Sequence, residues 1–150
     1  MKILFICHAN ICRSFMAQEI CKNLLPQASV FSRGLYANRE YAVPTKVWDF
    51  LRSLHISCAP HVSTQLTPVD LQQADRIFCM EKEHLEKLQD CYAQYSDKMW
   101  LLNDFAFSKE TDLQDPILLS GRSFIKQATL LQKAVESAVK KIKEQQGVQL

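Results

Sequence analysis

Cys7 and Arg13 are separated by five residues, His8-Ala9-Asn10-Ile11-Cys12, and Ser14 follows the arginine directly. Each residue type here has a task in phosphate chemistry. A loop that runs from a strand end into a helix N-terminus turns its backbone N–H groups inward and adds the positive end of the helix dipole, which makes an anion site. That field, with Arg13 close by, favours thiolate over thiol at Cys7, so the sulfur is a nucleophile at neutral pH. Arg13 meets two oxygens of a tetrahedral phosphate at once, a planar match that lysine lacks. Ser14 can donate a hydrogen bond to the sulfur, and Asn10 tolerates the positive φ that a tight anion loop commonly needs. In a chain of 150 residues with six cysteines, chance yields the Cys-x5-Arg-Ser arrangement roughly 0.03 times.

Those side chains converge only if a strand stops at Cys7 and a helix starts near Arg13. Residues 3–7, Ile-Leu-Phe-Ile-Cys, form a continuous apolar run of the kind buried on both faces of a sheet, and Met16, Ile20 and Leu24 follow at helical spacing. Val30-Phe31 reads as a second strand, residues 76–80 as a third and residues 99–102 as a fourth. Pro44 suits the first turn of a helix facing inward through Val47, Leu51 and Leu54, while Leu85 and Leu88 mark another. Residues 103–115 read as a polar connection. Phe124, Ala128, Leu131, Val135, Ala138 and Ile142 then trace a long closing helix whose Lys133, Lys140, Lys141 and Lys143 read as its solvated side. This alternation predicts an α/β fold of three layers, a parallel sheet with helices on both faces, and places any ligand at the carboxyl ends of the strands.

Composition narrows the function. With 47% hydrophobic and 23% charged residues the chain can bury one core, and no linker or repeat divides it. A net charge of +2 is too small to drive binding to nucleic acid. Only Gly34, Gly121 and Gly147 are glycines, so neither a dinucleotide fingerprint nor a Walker loop can be written. The cysteines read as reduced thiols, and no run is long enough for a membrane span. The expected location is the cytoplasm, with export by a signal-less route left open. Cys58-x2-His61, and His8 between Cys7 and Cys12, lack a second half-site, so neither a metal nor any other cofactor is expected.

At these residues the sequence resembles the low-molecular-weight protein tyrosine phosphatases. The likeness extends from the nucleophile loop through Ser32-Arg33-Gly34, His61 and residues 74–80 to Asp115-Pro116, which makes residues 1–150 one domain of that type. The resemblance implies a four-stranded parallel sheet flanked by helices. It also implies attack by Cys7 on phosphorus, with Arg13 binding phosphate, a phosphocysteine intermediate, no metal, and a phosphotyrosine-containing protein or peptide as substrate. A carboxyl must protonate the departing phenolate and later deprotonate the attacking water. Asp104, Asp112 and Asp115 all qualify by type, and the resemblance selects Asp115. It further implies that Asn10 is held in a left-handed conformation by Ser14, Ser32 and His61, and that His8, Ala9, Ile11 and Cys12 complete the phosphate loop. Taken alone, His61 reads as a surface histidine and Cys12 as packing; in the family, the matching cysteine can pair with the nucleophile on oxidation.

This chain departs from the family pattern in three places. Ala9 replaces a usual glycine, Phe15 a common proline, and Ile117 an aromatic residue that often walls the pocket; His8, Tyr36 and Tyr41 are candidates for a substitute wall, with a plain surface position as the alternative for each. Ile11 stands where relatives that act on phosphoarginine carry threonine, which points to phosphotyrosine. Thiol-linked arsenate reductases share the loop and form the alternative reading, with Cys79 and Cys91 as the available relay pair. The physiological substrate and the oligomeric state are not legible.

Overall fold

The computed structural model describes residues 1–147. Four strands, β1 (Lys2–Cys7), β2 (Ser29–Gly34), β3 (Arg76–Cys79) and β4 (Met99–Leu101), form one parallel sheet in the order β2-β1-β3-β4. Six α-helices accompany them: α1 (Arg13–Leu24), α2 (Thr45–Ser53), α3 (Pro68–Gln73), α4 (Lys82–Cys91), α5 (Leu102–Phe107) and α6 (Gly121–Gln145). A 3-10 turn spans Ala93–Lys98. The three-layer α/β fold expected from the sequence is the one observed.

Two-sided burial of β1 is what organises the layers. Ile3, Phe5 and Cys7 face a core shared with α1, α2, α5 and α6, while Leu4 and Ile6 face a second core with Leu71 of α3 and Leu88 of α4. Side chains alternate across a strand, so an apolar residue is needed at every position of residues 3–7. Parallel pairing on both sides sets Cys7 opposite Gly34 and Ile6 opposite Cys79, and the strand's carboxyl end therefore opens between two neighbours.

Some local readings need correction. Residues 103–115 are not wholly a connection, because Leu102, Phe105 and Ala106 bury one side of α5, and Leu102 belongs to that helix rather than to β4. The helix ends at Ser108, in the left-handed region at φ 55°. Pro44 caps α2 from outside its first turn. Lys141 is not free in solvent; its ammonium donates to the Phe105 carbonyl at 2.8 Å and so ties α6 to the C-terminal turn of α5. The short helix α3 carries a full capping box, with Thr67 and Asp70 bonding reciprocally and Pro68 in the first turn.

Candidate active site

Loop 8–12 joins β1 to α1 and is fixed from several sides. The Cys7 and His8 carbonyls accept hydrogen bonds from the Leu35 and Tyr36 amides at 3.0 and 2.8 Å. Asn10, fully buried at φ 60°, donates from Nδ2 to Ser14 Oγ at 2.8 Å and to Ser32 Oγ at 2.9 Å, and its Oδ1 accepts from the Thr64 amide at 2.9 Å. Ser32 in turn donates to Gln18 Oε1 at 2.6 Å. Ser14 Oγ lies 3.0 Å from Cys7 Sγ. Since Ser14 accepts from Asn10, its own hydrogen is left for the sulfur, which is the polarity a thiolate requires.

His61 Nε2 lies 2.7 Å from the Asn10 carbonyl. A carbonyl only accepts, so this nitrogen carries the proton. Burial holds the His61 pKa below its ordinary 6.5, and its ring stacks on Phe15 with centroids 4.2 Å apart. Phe15 also meets Trp48 edge-on at 5.2 Å, so the aromatic residue at this position forms the seat of His61. Ser63 donates to the Ala9 carbonyl at 2.7 Å. Within the loop only Asn10 has positive φ, which explains how alanine is accommodated at position 9. Gly34 lies directly beneath: a Cβ there would come within 2.9 Å of the His8 carbonyl oxygen and 3.1 Å of Asn10 Cβ.

Arg13 opens α1 and is 2% exposed. Its Nη1 donates to the Leu113 carbonyl at 2.8 Å and meets Glu81 Oε2 at 3.0 Å, while Nη2 is 3.4 Å from Asp115 Oδ2. Counting hydrogens, this leaves the Nε–H and one Nη2–H for a guest, the side-on pair suited to two phosphate oxygens. Asp115 sits on an exposed strap after Leu113, its Oδ1 accepting from the Ile117 amide at 3.1 Å. Lys46 of α2 reaches over to donate to the carbonyls of Ile117 and Leu119 at 2.5 and 2.6 Å. Of the three acids weighed, Asp112 instead bonds the Lys82 amide at the start of α4, and Asp104 lies beside Lys82 and Leu85. Cys7, His8, Ala9, Ile11, Cys12, Arg13, Asp115 and Ile117 together enclose a cavity of about 130 Å³. Tyr36 reaches this wall only through His8, and Tyr41 does not line it.

Cys12 is buried, and burial, reinforced by the charges of Asp115 and Cys7, pushes its thiol up to about 12. Cys79 lies inside β3 with no exposure and Cys91 is exposed at the end of α4. All six cysteines are unpaired.

The model of the low molecular weight phosphotyrosine protein phosphatase family matches residues 2–148. The chain belongs to that family. It is similar to the low molecular weight protein-tyrosine-phosphatase PtpB of Staphylococcus epidermidis, with 34% identity over 83% of this chain and 84% of that one. A protein-arginine-phosphatase of Bacillus subtilis is 28% identical over 77% of this chain and 79% of its own. Among solved structures, Vibrio vulnificus Wzb in complex with benzylphosphonate superposes with a TM-score of 0.84 at 29% identity, covering 93% of this chain and 97% of that one.

As a member of the low molecular weight phosphatase family the chain is a hydrolase, and its loop, Arg13 and Asp115 meet at one cavity. Several neighbours of the site escaped the sequence reading. Glu81 meets Arg13 and also His84 Nε2 at 3.4 Å, yet at a distance of 68 positions along the chain nothing marks it as a partner. Leu113 contributes only a main-chain oxygen, which no side-chain pattern reveals. Gln18, Ser63 and Thr64 buttress the loop, and no residue pattern marks them, since α1 carries several polar residues besides Gln18. Among the described residues, no group of three or more His, Cys, Asp or Glu side chains is arranged to hold a metal ion.

Proposed function

We propose that this phosphatase hydrolyses phosphotyrosine and aryl phosphate monoesters through a phosphocysteine intermediate. The observation carrying the reading is the chain of contacts Asn10–Ser14–Cys7, with Arg13 and Asp115 closing the same cavity. The phosphate enters the loop with its oxygens toward the backbone amides and the free hydrogens of Arg13. The Cys7 thiolate attacks phosphorus in line with the ester oxygen, and the S–P bond forms as the P–O bond breaks. Asp115 gives its proton to the departing phenolate. The resulting carboxylate then takes a proton from water, whose oxygen attacks phosphorus and returns sulfur to the thiolate, with Ser14 donating to it.

A cavity of about 130 Å³ takes a phosphate and little else, which suits a monoester whose side chain stands clear of the loop. Similarity to both tyrosine and arginine phosphatases makes the leaving atom the point to decide, and Ile11 in the cavity wall offers no hydroxyl to assist nitrogen as leaving group. The proposal assigns catalysis to Cys7, Arg13 and Asp115, phosphate binding to loop 8–12, and loop support to Ser14, Ser32 and His61.

Rates with aryl phosphates of graded leaving-group pKa test this. Cys7→Ser should abolish turnover, and Asp115→Asn should lower it about 10²- to 10⁴-fold with poor leaving groups but much less with p-nitrophenyl phosphate. Full activity in Cys7→Ser, or an Asp115→Asn loss that ignores the leaving group, would contradict the assignment. Phosphoarginine cleaved faster than phosphotyrosine in matched peptides would overturn the substrate choice.

A further inference from the structure

Once a phosphate fills the small cavity, the remainder of the substrate must lie at the rim. The cavity lining includes two aliphatic side chains, Ile11 and Ile117, and one ring, that of His8, whose side chain is exposed. An exposed imidazole ordinarily has rotamer freedom, but this one is backed by a column of rings. Tyr36 lies against it with centroids 4.8 Å apart at 37°, and the buried His84 of α4 is 6.3 Å away at 31°. Lys87, one turn further along α4, places its ammonium over the Tyr36 ring at 4.4 Å and against the Tyr36 hydroxyl. Tyr36 is itself registered to the loop, because its amide donates to the His8 carbonyl at 2.8 Å. Backbone and ring of Tyr36 thus both engage the same residue, His8.

Resting on the phosphatase reading above, we propose that the His8 ring is the surface against which the aromatic leaving group lies, and that Tyr36 is the positioning residue that holds it there. The ring at the mouth thus comes from the loop after β1, and its support from the segment after β2. A flat leaving group slots between imidazole and aliphatic side chains, whereas a small acyl phosphate uses the loop alone.

The experiment compares p-nitrophenyl phosphate with acetyl phosphate, which has a good leaving group and no ring, for wild type, Tyr36→Phe, Tyr36→Ala and His8→Ala. Tyr36→Ala keeps the amide bond to His8 and removes the ring. It should lower kcat/KM for the aryl ester about fivefold to tenfold, chiefly through KM, the scale of one aromatic contact. Its kcat/KM for acetyl phosphate and its inhibition by inorganic phosphate should match wild type. Tyr36→Phe should retain the aryl preference, and His8→Ala should reduce the ratio of the two specificities at least as far as Tyr36→Ala. Equal losses on both substrates in Tyr36→Ala, or an unchanged ratio in His8→Ala, would overturn the proposal and leave the phosphatase reading standing. A wild type that turns over neither compound would instead overturn that reading, and the wall with it.

Discussion

The two segments that meet at the cavity are held in opposite ways. Loop 8–12 is buried at Asn10 and Cys12, and bonded to residues 32, 36, 61, 63 and 64 through side chains and main chain. The Asp115 strap is exposed, closed on itself by one turn of the Asp115 carboxylate onto the Ile117 amide, and anchored to the body by Lys46, the Leu113 amide's bond to the Met80 carbonyl and the contact with Arg13. The difference follows from what each has to do. Stabilising a trigonal bipyramidal phosphoryl group requires donors that are already in place before reaction, whereas an acid that serves first an ester oxygen and then a water benefits from a carboxyl with some travel.

Breaking the rigid side should cost most. Asn10→Ala leaves Ser14, Ser32 and the Thr64 amide without a shared partner and removes the side chain that tolerates φ 60°. It should destabilise the protein by about 2–3 kcal/mol in urea unfolding, and reduce kcat by about 10²-fold as the Ser14 hydroxyl loses its orientation. If kcat falls no more than a few-fold, the loop is less dependent on Asn10 than its bonds imply.

On the exposed side the effect should be smaller and selective. Lys46→Met keeps an unbranched side chain but frees the two carbonyls, and is expected to lower kcat about tenfold on a poor leaving group and little on p-nitrophenyl phosphate, where the proton matters less. Lys46→Arg should recover most of the loss. Uniform losses on both esters would show that Lys46 supports the phosphate loop rather than the acid.

The smallest effect concerns pH. Burial lowers the pKa of both His61 and His84 below 6.5, so below that value the unfolded chain binds protons that the folded chain resists. Stability is then fully present above pH 6.5 and declines as pH falls through it. Unfolding midpoints at pH 7.5 and 5.5 should show the decline, and His61→Gln, which keeps a donor for the Asn10 carbonyl, should flatten it. A decline of the same steepness in His61→Gln would assign the effect to other groups.

What the sequence made legible follows from range. The run at residues 3–7 and the spacing of Met16, Ile20 and Leu24 are local signals, and they carried the strand, the helix and the nucleophile loop between them. Helix α5 was obscured because Asn103 and Asp104 interrupt a pattern of only three buried residues, Leu102, Phe105 and Ala106. Helix α3 has a capping box in Thr67-Pro68-Val69-Asp70, but too few apolar residues follow it for their spacing to mark a helix. Glu81, Lys46 and the Leu113 carbonyl belong to the site only through the sheet order, which brings the end of β3 and the strap after α5 beside α1. Their roles are tertiary, and no spacing encodes them.

Gly34 carries the last consequence. With loop atoms already at contact distance from the point where its first side-chain carbon would stand, the floor of the pocket is sterically sealed against drift. Changes in what this scaffold accepts fall instead on its upper margin, at the side chains of positions 8, 11 and 117 that line the cavity and of Tyr36 behind His8.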